Sequence, residues 1–165
     1  KRKVGNFQNE KSSVDLSQTK NKTNMAQVNP YLIFNGTCEE AFNFYKTVFG
    51  GEFAHIGKFK DMPSEQPLAD DVANMIMHVS LPISSETILM GSDMHESFGF
   101  KVQAGSNFAV SINTDSEEEA TKLFNGLSAG GNVTMPLDKT FWGAYFGMFT
   151  DKFGIHWMVN YDYEQ

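Results

Sequence analysis

The chain carries the same segment twice. Thr37-Cys38-Glu39-Glu40-Ala41-Phe42-Asn43-Phe44-Tyr45 aligns without a gap on Ser116-Glu117-Glu118-Glu119-Ala120-Thr121-Lys122-Leu123-Phe124, each residue 79 positions from its mate. Each copy follows an apolar, strand-like run (31–34 and 108–112), and each is closed by a glycine pair, Gly50-Gly51 and Gly130-Gly131. In 165 residues, a repeat at this spacing implies one fold unit used twice, with any site where the halves meet.

The repeated segment predicts a helix with a built-in start. Thr37 with Glu40, and Ser116 with Glu119, have the spacing of a capping box, in which hydroxyl and carboxylate satisfy reciprocal backbone donors. Ala41, Tyr45 and Val48 then share one helical face, as do Ala120, Leu123, Phe124 and Leu127. Only strand signals follow each helix: residues 52–59, 74–83 and 87–92 in the first half, and 132–135, 144–150 and 155–161 in the second. The reading is α+β, two tandem βαβββ modules over residues 25–105 and 106–165.

Alternation assigns faces to the strands, because successive side chains point to opposite sides. Ile155, Trp157, Val159 and Tyr161 oppose His156, Met158 and Asn160. Met75, Met77, Val79 and Leu81 oppose Ile76, His78 and Ser80, and Phe108, Val110 and Ile112 oppose Asn107, Ala109 and Ser111. The apolar set is expected under the helices. The mixed set, with its small, soft and polar groups, is expected to line a small-molecule cavity. Residues 60–73 and 93–106 lack periodicity and read as long connections or lids. The aromatic turn at 141–146 reads as a further cavity wall or a core-completing hairpin.

Charge narrows the partners. Residues 1–24 carry a net +4, so the whole-chain value of −7 leaves −11 on the remainder. An acidic body lacks the clustered Lys and Arg that neutralise phosphates, which argues against nucleic acid. Residues 1–24 read as a flexible N-terminal extension, a tag or upstream sequence in front of Met25. No apolar run approaches the ~20 residues that span a bilayer, so the expectation is a cytoplasmic protein without a membrane partner. Cys38 is the sole cysteine, so neither a disulfide framework nor a cysteine zinc site can form. It reads as a small helix-start residue.

At this point an ordered set of motifs resembles one family. Pro30-Tyr31-Leu32-Ile33-Phe34-Asn35-Gly36, Glu40-Ala41, Phe44-Tyr45 and Phe49-Gly50-Gly51 are similar to the opening of PhnB-like members of the vicinal oxygen chelate superfamily. So are Ile76-Met77-His78, Met90-Gly91-Ser92-Asp93, Phe141-Trp142-Gly143 and the run from Thr150 to Asn160. The superfamily includes glyoxalase I, extradiol dioxygenases, fosfomycin-modifying enzymes and bleomycin-resistance proteins. The resemblance implies cupped mixed sheets around a cavity, and commonly a homodimer with modules joined across subunits.

The resemblance also implies metal-ligand positions on the first and last strands of each module. Carried over, these fall at or beside Pro30, near Met90, at Asn107 or Ala109, and at Met158. Thioether and amide oxygen are weak substitutes for imidazole and carboxylate, so no metal and no cofactor are expected there. Off-pattern candidates are His78, Asp93, His95 and His156, with His78 also a candidate general base. A methyltransferase activity on demethylubiquinone, a label attached to PhnB-like sequences, finds no Gly-rich loop between a first strand and a helix.

The expected function is metal-independent binding of a small-molecule ligand by a homodimer. Tyr31, His78, Ser92, Asp93, Asn107, Trp142, His156, Met158 and Asn160 are the candidate ligand-binding residues. Tyr31 and Trp142 would stack on an apolar body, while His78, Asp93 and the amides orient a polar end. The alternative is a metal-dependent glyoxalase-like lyase or isomerase with atypical ligands, so whether the chain is an enzyme stays open.

Overall fold

The computed structural model describes residues 26–63, 68–99 and 101–163. The N-terminal extension, and residues 64–67 of the first long connection, lie outside the described residues. Two four-stranded mixed sheets carry the fold. Strands β1 (Tyr31–Phe34), β2 (His55–Lys58), β3 (Ile76–Pro82) and β4 (Ile88–Asp93) form one, in the order β1-β4-β3-β2. Strands β5 (Val110–Asn113), β6 (Asn132–Lys139), β7 (Ala144–Thr150) and β8 (His156–Asp162) form the other, in the order β5-β8-β7-β6. In each, the leading strand runs parallel to the last, with Tyr31 opposite Met90 and Ser111 opposite Met158. The repeat is thus a βαβββ unit used twice.

Helices α1 (Cys38–Phe49) and α3 (Glu117–Ser128) are the repeated segments, and their two starts differ. Ser116 caps α3, its Oγ accepting from Glu119 N at 3.1 Å, while the Glu119 carboxylate takes Asp115 N at 3.1 Å. Thr37 makes no side-chain capping bond. Its place is taken from outside the helix: Asp93 Oδ1, at the end of β4, accepts from Cys38 N at 2.9 Å. The capping box expected at Thr37 is therefore replaced by a long-range carboxylate. Gly50 closes α1 with a φ of 82°, a conformation costly for any residue with a Cβ. Gly131 answers a different need, since a Cβ there would sit 2.3 Å from the Thr150 carbonyl oxygen.

The helices share one core between the modules. Tyr45 and Phe49 of α1 pack on Trp157 of β8, and Phe153 meets Phe34, Phe44 and Tyr45. Val79, Leu81, Trp157 and Val159 are fully buried, as their strand parity requires. Ile76 departs from the expected alternation: it is fully buried in the core and does not share the face of His78. The register slips between Gly57 and Lys58, so that Gly57 faces His78 but Lys58 faces Ile76, leaving Met77 as the extra residue of a β-bulge.

Two further differences concern length. The connection at 60–73 contains a one-turn helix, α2 (Asp70–Ala73), that buries Val72. Strand β6 runs through Pro136 to Lys139, which its edge position allows because a missing donor faces no partner strand. No helix among the described residues is long and apolar enough to cross a membrane.

Candidate functional site

Each sheet has one face toward the shared core and one that the described residues leave largely uncovered. On the first sheet the open face carries Tyr31, Ile33, His78, Met90 and Ser92, joined by Ser80 and His55. The Tyr31 hydroxyl and His78 Nδ1 lie 3.2 Å apart, with the rings stacked at a centroid distance of 5.7 Å. On the second sheet Asn107, His156 and Met158 line one recess of about 440 Å³, together with Ser106, Thr134 and Met148. Asn160 continues the same face, opposite Phe146. A smaller recess of about 260 Å³ lies beside Tyr31 and Ile33, closed by residues 102–105 of the connecting segment.

Phe108 lines both recesses and stays 58% exposed, although its parity placed it with the core-facing Val110. The two sheets do not close around a single hollow within this chain, because no strand pairing joins them. Trp142 stands at the β6–β7 turn against Phe141 and Phe146, half-exposed and outside both recesses.

Asp93 does not belong to this set. It is 2% exposed, and its two oxygens accept from Cys38 N and Ile76 N at 2.9 Å each. The carboxylate holds the start of α1 and the bulged start of β3, and it lies on the core side, level with the buried Phe34. His156 is also engaged: Nε2 donates to the Gly105 carbonyl at 3.0 Å, so Nδ1 of the neutral ring accepts from the Thr150 hydroxyl at 2.8 Å. It ties the connecting segment to β8. His95 bonds Ser97 at 2.8 Å and lies 3.8 Å from Asp71.

A second buried carboxylate had no place among the candidate residues. Asp151, 4% exposed, accepts from Phe153 N, Ile155 N and Trp157 Nε1, and from the Tyr45 hydroxyl of the other module at 2.7 Å. Burial, then the Asp151 charge and hydrogen bond, hold the Tyr45 phenol well above its ordinary range. Burial likewise pushes the Cys38 thiol up, with Asp93 and Glu39 adding to the effect. A low-pKa, exposed cysteine is the reactive kind, and Cys38 is the reverse.

The donor set does not fit a divalent metal at the superfamily's positions. Pro30 and Met90 pair backbone to backbone, and Met158 presents a thioether. Among the described residues no three His, Cys, Asp or Glu side chains converge as ligands. Of the off-pattern candidates, Asp93 and His156 are already engaged by the fold.

Residues 27–159 match the Glyoxalase/Bleomycin resistance protein/Dioxygenase superfamily. The chain belongs to that superfamily. Protein YjdN of Escherichia coli (strain K12) is 31% identical over 141 residues, covering 81% of this chain and 93% of that one. Among solved structures, protein PA1353 from Pseudomonas aeruginosa is 44% identical with a TM-score of 0.74, spanning 85% of this chain and 100% of that one. The putative 3-demethylubiquinone-9 3-methyltransferase, PhnB protein, from Bacillus cereus is 23% identical with a TM-score of 0.64, over 82% and 99% of the two chains. That last likeness speaks for the superfamily fold alone.

Proposed function

We propose that this member of the superfamily is a metal-independent small-molecule-binding protein of the cytoplasm, acting as a homodimer whose partner copy covers the open sheet faces. One observation carries this reading. The open faces present aromatic, thioether, hydroxyl and amide groups, and the superfamily's ligand positions hold Pro30, Met90, Asn107 or Ala109, and Met158. Such a lining holds an apolar body and orients a polar end. Tyr31, His78 and Ser92 contribute from the first sheet, and Asn107, His156, Met158 and Asn160 from the second. Trp142 would join them only where the dimer brings the β6–β7 turn over an open face.

The test is metal analysis of purified, dialysed protein, followed by a ligand screen by thermal shift. The reading expects no stoichiometric divalent ion. It also expects at least one small molecule that raises the melting temperature, since ligand at 100 times Kd adds about 2.7 kcal/mol. A retained stoichiometric ion would favour the metal-dependent lyase or isomerase instead.

A further inference from the structure

The first sheet's open face holds a ladder of three rings that alternation alone did not assemble. His55 stacks on His78 at a centroid distance of 5.8 Å and 29°, and His78 stacks on Tyr31 at 5.7 Å and 26°. The register explains how. His55, Ser80, Met90 and Tyr31 lie in one row across β2, β3, β4 and β1, and His78 belongs to the adjacent row with Gly57. The His55 ring leans over Gly57 to reach His78: a Cβ at Gly57 would sit 3.1 Å from His55 Nε2. Ser80 and Ser92, small residues of this open face, are only 9% and 8% exposed, as expected beneath larger side chains.

We infer that this ladder binds the anionic end of the ligand, a carboxylate or a similar oxyanion carried on an apolar or aromatic body. The inference rests on the small-molecule reading above and names the ligand's chemical class. By strand parity this face has no Asp, Glu, Lys or Arg among the described residues. Lys58 points to the helix side, where it meets Glu39 at 2.8 Å. The groups facing His78 are Tyr31 from β1, His55 from β2, and uncharged Met90 and Ser92 from β4.

Among the described residues the cationic charge available on this face is thus an imidazolium, and no carboxylate there competes for it. A tyrosine hydroxyl both donates and accepts, so the Tyr31–His78 bond survives protonation with its roles exchanged. Among the described residues no hydrogen bond occupies His78 Nε2 or either nitrogen of His55. A ligand oxyanion can take those donors. Tyr31, 45% exposed, with Ile33 and Met90 beside it, offers the apolar surface for the ligand's body.

The probes are benzoate and its neutral analogue benzamide, titrated into the full chain by calorimetry with histidine-selective NMR. The titrations are run in mildly acidic buffer, which favours the charged form of any imidazole. Benzoate should exceed benzamide there by about tenfold, the advantage of a charge-assisted over a neutral hydrogen bond. Benzoate should move the ring signals of His55 and His78 but not those of His95. His78→Gln and His55→Gln should each lower the ratio of benzoate to benzamide affinity, and the double variant should bring that ratio to about one. If both probes bind alike, or if benzoate's advantage survives the double variant, the ladder inference falls and the cavity reading stands. If neither probe nor any neutral fragment of a screen binds, both fall together.

Discussion

Asp151 is where two modules become one molecule. Its four donors come from its own turn, from Trp157 and from Tyr45 across the module boundary. Asp151→Ala leaves several buried donors unsatisfied at once, each worth about 1–3 kcal/mol, so a loss of at least about 3 kcal/mol in urea denaturation is expected. Tyr45→Phe removes one bond and should cost about 1–2 kcal/mol. The same phenol sets an alkaline limit. Its folded value is raised, so the stability it contributes is complete below about pH 10, the ordinary tyrosine value, and falls as pH rises beyond that. Denaturant midpoints followed from about pH 8 to about pH 11 should drop in the native chain and drop less in Tyr45→Phe. Asp93 makes the opposite point about function. With its oxygens on Cys38 N and Ile76 N, Asp93→Ala should cost about 2 kcal/mol of stability and leave the affinity of any bound ligand within about twofold. A larger loss of affinity at unchanged stability would return it to the binding set.

Elements show how far a repeat can be trusted. The duplicated segments form α1 and α3 where capping and periodicity place them, because Ala, Leu and aromatic residues at helical spacing must bury one face. What sequence identity between the copies could not convey is that only one of them caps itself. Ser116→Ala should therefore cost about 1 kcal/mol in thermal or urea unfolding, the usual worth of an N-cap, and Thr37→Ala close to nothing. Equal losses would mean that the Thr37 hydroxyl caps α1 after all. The strand faces were legible wherever the period of two ran unbroken, as along β8. They failed at Ile76, because the extra residue Met77 breaks the alternation of β3, and a bulge shows only once two strands are paired. For the same reason His55 escaped attention. Its ring meets His78 by leaning over Gly57 of its own strand, a diagonal contact that alternation does not show. Phe108 lies just before β5 begins, where strand parity no longer governs its direction.

At the scale of the molecule, the two open faces ask for a partner. Ile33 and Tyr31 on the first sheet, Phe108 between the recesses, and Phe141 and Trp142 at the β6–β7 turn all remain exposed. Large apolar side chains left exposed at several places on the open side mark an interaction surface more readily than a solvated one. A second copy is the occupant proposed here, because the two faces complement each other in kind. One carries the Tyr31–His78–His55 rings with Met90, the other Asn107, His156, Met158 and Asn160, and a twofold contact presents each face of one copy to the unlike face of the other. Ile33→Glu places a charge on the edge strand of the first sheet without entering the core. Sedimentation velocity should then show the native chain as a dimer at micromolar concentration and the variant shifted toward monomer, with far-ultraviolet circular dichroism unchanged. A monomeric native chain that still binds ligand would place the whole site within one copy's recesses. A variant that stays dimeric would move the interface away from β1.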